Sequence, residues 1–232
     1  MFLKVFLSIF VILYSFFSLN GATYFVSLGH DCQIASTLKE LELRPTAFPL
    51  DWVASDSFEG VIQAFEDDFK YFLDPLYLSY QIHPSSYVGT YIWNSYYEFR
   101  YSHFFPTVNN SIVYNYLDFL PQIQTTQNRR IQRLINLLRS ENDVIVFIRT
   151  NIEPQEAHRF VDLIHKKYPN LFFLLVVVDE KSDLTEDWDI DRVLNYYVTK
   201  KRKDIFSGWW DHSEWLYIID SINKKISGSS HK

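Results

Sequence analysis

Residues 143–179 read DVIVFIRTNIEPQEAHRFVDLIHKKYPNLFFLLVVVD. Two continuous apolar runs flank an amphipathic segment. A run without polar alternation predicts a strand buried on both faces, which is the mark of a parallel sheet. The first run, Val144–Ile148, ends in the polar residues Arg149, Thr150 and Asn151. The second, Leu171–Val178, ends at Asp179. Between them, Pro154 to Tyr168 is predicted as a helix, opened by a proline and carrying one apolar face.

The same alternation extends upstream. Gln122–Ser140 carries Ile131, Leu134, Ile135 and Leu138 at helical spacing, interleaved with Arg129, Arg130, Arg133 and Arg139. Thr23–Leu28 (TYFVSL) reads as a further buried strand, closed by Gly29. Asp31 is placed to cap a helix with Ile34, Ala35, Leu38 and Leu41 on one face, stopped by Arg44–Pro45. Residues 46–55 read as a loop, and 56–72 as a helix with Phe58, Val61, Ile62, Phe65 and Phe69 aligned. Residues 73–121 are irregular, very aromatic and broken by prolines, which predicts short strands and loops in a lid-like insertion. Strand–helix alternation defines an α/β fold: a three-layer, Rossmann-like or flavodoxin-like parallel sheet with an aromatic-rich insertion. The domain is expected over 23–223, with a flexible tail at 224–232.

Composition bounds the function. Of 232 residues, 47% are hydrophobic and 18% aromatic, so a large core is within reach. The net charge of -6 argues against nucleic acid, because phosphate contacts require clustered cations. The basic run Lys200–Lys201–Arg202–Lys203 reads as a solvated segment. Residues 1–22 have a lysine, an apolar run from Val5 to Phe17, and small polar residues ending at Ala22. That layout predicts a signal peptide or an uncleaved membrane anchor, and hence an exported protein whose membrane attachment is confined to this segment. A single cysteine cannot form an internal disulfide.

That cysteine, Cys32, follows a strand and a glycine at the mouth of a helix. A helix N-terminus stabilises a thiolate and offers N–H groups to an oxyanion, so Cys32 is either a nucleophile or a small buried hydrophobe. A nucleophile needs a base, usually His. His30, His83, His103, His158, His165 and His212 are the candidates. His158 and His165 fall on a helix surface, His30 is awkwardly close in sequence, and His212 lies among Trp209, Trp210 and Trp215. Asp51, in FPLDWV, either orients a His, binds substrate or caps its own loop. Sites in parallel sheets gather at the carboxyl ends of strands, here Gly29–Cys32, Arg149–Asn151 and Asp179–Lys181. No HExxH, cysteine pair, GxGxxG, GxxxxGK or GxSxG is present, so no metal or cofactor is expected, and a serine hydrolase of the common α/β type is disfavoured.

VSLGHDCQIASTLKELELRPTAFPLDWV, residues 26–53, resembles the opening of a bacterial and viral family of unknown function described as papain-like cysteine peptidases. The shared features are Ser27–Leu28–Gly29, Cys32, Ala35, Leu43–Arg44 and Pro49–Leu50–Asp51–Trp52, with Leu50 where the family has Phe. A later block, His103–Phe104–Phe105, is similar to the family's HDF but lacks its Asp. An Arg-rich helix and Val146–Phe147–Ile148–Arg149 follow. The resemblance implies Cys32 as nucleophile, His103 as general base and Asp51 as the orienting carboxylate. It implies a peptide or small-molecule substrate, and hydrolysis of a peptide or amide bond. Gly29, Asp31, Trp52 and Arg149 are the candidate substrate contacts. Papain-like enzymes have no buried parallel sheet at the Cys, so the periodicity does not support that fold label. Two rival functions follow from the residues. One is a Rossmann-like transferase for sugars or phosphorylated substrates, with Arg149 and the Arg-rich helix on phosphate. The other is a non-enzymatic surface module that binds through exposed aromatics.

Overall fold

A computed structural model of the chain describes residues 21–82, 89–179, 187–198 and 212–229. In chain order the elements are β1 (Thr23–Ser27), α1 (Gln33–Glu40), α2 (Glu59–Glu66), β2 (Leu78–Ile82), β3 (Thr90–Asn94), β4 (Phe99–Tyr101), β5 (Thr107–Val108), β6 (Ser111–Ile112), α3 (Leu120–Leu138), β7 (Val144–Arg149), α4 (Pro154–Lys167), β8 (Phe172–Asp179), β9 (Val193–Tyr197) and α5 (His212–Ser229). Residues 1–20, His83, Lys181, Lys200–Lys203, Trp209–Asp211 and the last three residues lie outside the described set, as does the His212 side chain. No helix among the described residues is long and apolar enough to cross a membrane.

The main sheet is parallel, in the order β1-β7-β8-β9. Side chains alternate between its faces with a period of two. On one face Val26, Ile145, Phe147, Phe173, Leu175 and Val177 pack under α2, α3 and α4. On the other, Phe25, Val146, Ile148, Leu174, Val176 and Val178 pack under α1 and α5. Both faces are therefore dry, and the continuous apolar runs are explained. The result is the expected three-layer α/β architecture. The described strands follow chain order without a reversal, so no switch-point crevice opens between them.

Aromatic rings fill the layer beneath α2 and α4. Phe65 lies edge-on to Phe147 (centroids 5.7 Å) and Phe160 (5.2 Å). Such pairs add to area burial. Polar contacts at the rim lock the same helices together. Lys167 Nζ donates to the Phe65 and Glu66 carbonyls at the end of α2, at 2.8 and 2.9 Å. Arg159 holds Glu59 with two bonds of 2.6 and 2.8 Å. α4 begins with Pro154, and the Glu156 carboxylate accepts the Glu153 N–H at 3.0 Å.

Three element boundaries depart from the sequence reading. α1 ends at Glu40, ahead of Arg44–Pro45. Glu42 turns left-handed (φ 58), and the Leu43 N–H returns to the Leu38 carbonyl, a Schellman-type end that needs no proline. α2 is likewise shorter than 56–72. Asp68 and Phe69 have positive φ, and the Phe69 N–H bonds to the Ala64 carbonyl at 2.7 Å. Phe69 and Phe72 still reach the core from this turn, which is why the periodicity overran the helix. At the other end, the expected flexible tail is helical to Ser229, because Ile226 continues the apolar face of Ile218 and Ile222. Strand β9 is absent from the sequence reading. It is an edge strand with mixed residues, so neither alternation nor a continuous apolar run marks it.

The aromatic insertion forms an antiparallel sheet β2-β3-β4 and the hairpin β5–β6. Asn109 and Asn110 supply the two positive φ angles that a tight hairpin turn requires. Ile92, Tyr97, Phe99, Tyr101 and Phe105 join the same core as the main sheet. Buried Asn94 fastens it. Its amide donates to the Tyr71 and Phe72 carbonyls and accepts the Tyr96 and Tyr97 N–H groups, each at 2.7–3.1 Å.

Candidate functional site

Two groups of the expected residues form around the carboxyl end of β1. The first is the turn into α1. Gly29 (φ 80) and His30 (φ 78) both turn left-handed. A Cβ on Gly29 would meet the Val53 carbonyl at 3.2 Å, so the position needs glycine twice over. His30 Nδ1 lies 3.3 Å from the Ser55 carbonyl, and the Ser55 N–H donates to the His30 carbonyl at 3.0 Å. Asp31 Oδ1 accepts the Gln33 N–H at 2.8 Å, which secures the first turn of α1. Cys32 is the N-cap residue, free and half-buried.

The electrostatics of Cys32 overturn one expectation. Burial raises its pKa, and the neighbouring Asp31 carboxylate raises it further; its own backbone N–H opposes this only in part. The thiol is therefore protonated at neutral pH, because burial and Asp31 outweigh the helix terminus. Asp31→Asn tests the cause. The amide oxygen keeps the bond to Gln33 while the charge is lost. Cys32 alkylation by iodoacetamide at pH 7.5 should then accelerate severalfold. An unchanged rate would remove Asp31 as a cause.

Arg149 lies behind this turn with no exposed surface. Nη1 donates to the Leu28 carbonyl (2.8 Å) and Ser55 Oγ (3.0 Å), and Nη2 to the Ser55 and Ser57 carbonyls (3.1 and 3.2 Å). Its guanidinium stands 5.0 Å from the Phe58 ring centroid. Burial pushes its pKa down to about 10. The expected substrate or phosphate contact is instead an internal strut between β1 and the loop that follows α1.

The second group surrounds Trp52. Asp51 is fully buried, and Oδ2 accepts from Arg44 Nη1 and from the Phe48 N–H at 2.8 Å. Its expected role as partner of His103 is therefore replaced by an ion pair seven residues upstream in the chain. Burial outweighs Arg44 and pushes the Asp51 carboxyl up to about 6. An acid whose folded pKa exceeds its unfolded value binds more protons when folded, so its stability contribution falls as pH rises between the two values. The stability difference between wild type and Asp51→Asn should shrink as pH rises from 4 to 7, by on the order of 2 kcal/mol. Urea unfolding across that range measures it; a flat difference would mean that Arg44 keeps the carboxylate ionised throughout.

Trp52 stands edge-on to His103, with centroids 5.9 Å apart, and Arg44 lies 5.8 Å from the Trp52 ring. A bridge between Ala54 and Arg100 ties this loop to β4, which leads to His103. His103 is open to solvent on one side, and desolvation on the other lowers its pKa, so the imidazole is neutral at neutral pH. Trp52, His103 and Phe104 line a cavity of about 580 Å³ whose opposite wall is α3, through Ile123, Gln127 and Arg130. Cys32 is not among the lining residues. His158 pairs with Asp162 on the surface of α4, and His165 is exposed there. Gln127 escaped the sequence reading as a site residue, and Arg130 entered it only within the Arg-rich helix of the transferase alternative. Their signal was available, because Ile123, Gln127 and Arg130 fall at i, i+4 and i+7 on one helix face. Among the described residues, no cluster of His, Cys, Asp and Glu is suited to a metal ion.

Residues 23–180 match the model of the family described as "Putative papain-like cysteine peptidase". The match covers more than half of the chain, and the chain belongs to this family. It is also similar to an uncharacterized protein of Acanthamoeba polyphaga mimivirus, 24% identical over 225 residues, covering 87% of this chain and 99% of that one. No solved structure matches the chain.

Proposed function

We propose that the chain is a cysteine-dependent hydrolase of peptide or amide bonds, with Cys32 as nucleophile and His103 as general base. The observation that supports it best is the position of the single thiol: free, half-buried and at the first turn of a helix, directly beyond the carboxyl end of β1. The family description points the same way. Cys32 Sγ attacks the carbonyl carbon as the imidazole takes its proton. The first-turn N–H groups of α1 beyond Gln33, whose own N–H is held by Asp31, face the developing oxyanion. The imidazolium then protonates the leaving amine, and water hydrolyses the acyl-enzyme. A raised thiol pKa and a lowered imidazole pKa make this a neutral pair. Proton transfer accompanies attack and does not precede it. The transferase alternative loses one of its two phosphate contacts, since Arg149 is buried and internally bonded, and keeps only the Arg-rich helix. The N-terminal segment is proposed to export the protein.

Alkylation of Cys32 in the folded chain, followed by mass spectrometry, is the test. The rate should climb only above the ordinary thiol range, and His103→Ala should slow it at pH 7.5. A thiol that reacts only after denaturation, or reacts identically without His103, would sink the reading.

A further inference from the structure

We propose that the cavity between α3 and the Trp52 and His103 loops binds the terminal residue of a peptide, its free carboxylate on Arg130 and its amide N–H on Gln127. This rests on the hydrolase reading only for its link to catalysis; the binding itself does not involve Cys32.

Arg130 is half-buried on the cavity wall. Its guanidinium makes no hydrogen bond or ion pair among the described residues. The nearby carboxylate of Asp51 is already held by Arg44 and the Phe48 N–H. Burial weighs most on Arg130; the Asp51 carboxylate attracts it, and Arg44, Arg133 and Arg129 repel it, so these four arginines outnumber the one carboxylate that they share. A planar fork with unused donors in such surroundings calls for a carboxylate.

Gln127 supplies the second, independent observation. Its residue is 3% exposed, and its side-chain oxygen is buried without a hydrogen-bond partner. Buried acceptors are normally satisfied, and an orphan on a cavity wall asks for a donor from a ligand. It lies one helical turn from Arg130, close to the spacing of a backbone N–H and a carboxylate on one residue. Trp52, Phe104 and Ile123 give that residue's side chain an apolar and aromatic surround. A cavity of about 580 Å³ falls within the range of small-ligand sites. A phosphate dianion fits less well. It favours a nest of backbone N–H groups, and no glycine lines this cavity. The proposed substrate is thus a short peptide or N-acyl amino acid with a free carboxylate, rather than the interior of a long chain.

Calorimetric titration of the full-length Cys32→Ala protein tests this without turnover. The probes are N-acetyl-L-phenylalanine, its neutral primary amide and phenyl phosphate. The acid should bind at least tenfold more tightly than the amide. Arg130→Met should erase that preference and Arg130→Lys should restore part of it. Gln127→Met should weaken the acid severalfold, while Arg129→Met, on the exposed side of the helix, should change it less than threefold. Equal binding of acid and amide, unchanged affinity in Arg130→Met, or tenfold tighter phenyl phosphate would overturn the proposal. The two readings fail separately. Intact binding with an inert Cys32 sinks only the hydrolase. Hydrolysis of peptides by the wild type with no preference for a free carboxylate sinks only this pocket.

Discussion

Arg149→Met is expected to lower the unfolding free energy by about 4 kcal/mol, enough to unfold a marginal domain at 37 °C. The substitution nearly conserves length and apolar bulk, so the loss comes from hydrogen bonds. Arg149 is the donor to the carbonyls of Leu28, Ser55 and Ser57 and to Ser55 Oγ. With the guanidinium gone, its partners are left in a dry interior, where each unpaired polar group costs about 1–3 kcal/mol. Removing the buried charge offsets part of that sum, because no carboxylate forms an ion pair with Arg149 among the described residues and burial outweighs the more distant Glu156, Asp31 and Asp56 in setting its pKa. Arg149→Lys should recover little, since one ammonium cannot reproduce a fork whose two nitrogens reach different residues. Urea denaturation of both variants gives the measurement. A loss under about 1 kcal/mol in Arg149→Met would mean that water or side-chain rearrangement satisfies those carbonyls. The consequence reaches the site, because the same bonds fix the turn carrying Cys32 against the loop carrying Trp52.

The sheet was legible because burial on both faces leaves a local trace: Val144–Ile148 and Leu171–Val178 contain no polar residue to confuse the pattern. Helix ends were less so. Glu42, Asp68 and Phe69 adopt positive φ without a glycine to announce it, and tertiary contacts rather than local propensity hold them there. Arg149 illustrates the difficulty at the site. A charged residue closing an apolar strand looks like a ligand contact, and only the docking of residues 55–57 onto it reveals a strut. Asp51 is similar: its partner Arg44 is close in sequence, yet nothing local distinguishes that pairing from one with His103. The Cys32 turn was found because strand, glycine, thiol and helix are contiguous. The cavity was not, because Trp52 lies some 70 residues and His103 some 20 residues before the α3 wall, and the three meet only through the shared aromatic core. The direction of the Cys32 pKa was also out of reach. The helix terminus was visible, while the burial that outweighs it was not.

On the proposed hydrolase reading, Cys32→Ala should abolish hydrolysis, by about a thousandfold or more, while leaving stability within about 1 kcal/mol of the wild type. The two halves of this expectation have separate causes. Cys32 is only half-buried, and its side chain does not cap α1, so removing Sγ opens little cavity and breaks no cap. Catalysis through an acyl-enzyme has no substitute for the sulfur; Cys32→Ser should be nearly as inactive, since a hydroxyl is a far weaker acid than a thiol. The pH profile distinguishes the mechanism. In the proposed mechanism the reactive form has a neutral thiol and a neutral imidazole. Activity should hold from below pH 6.5, where the lowered His103 pKa keeps the base unprotonated, up to the raised thiol pKa on the alkaline side. A preformed thiolate–imidazolium pair would place its acid limb at the pKa of a depressed thiol. The comparison therefore needs purified wild type and Cys32→Ala, a panel of peptides and N-acyl amides, and rates from pH 5 to 10. Turnover that survives in Cys32→Ala would move the chemistry away from β1 altogether and leave His103, exposed at the cavity rim, as the residue to replace next. A stability loss of about 3 kcal/mol without any measurable wild-type turnover would make Cys32 a packing residue.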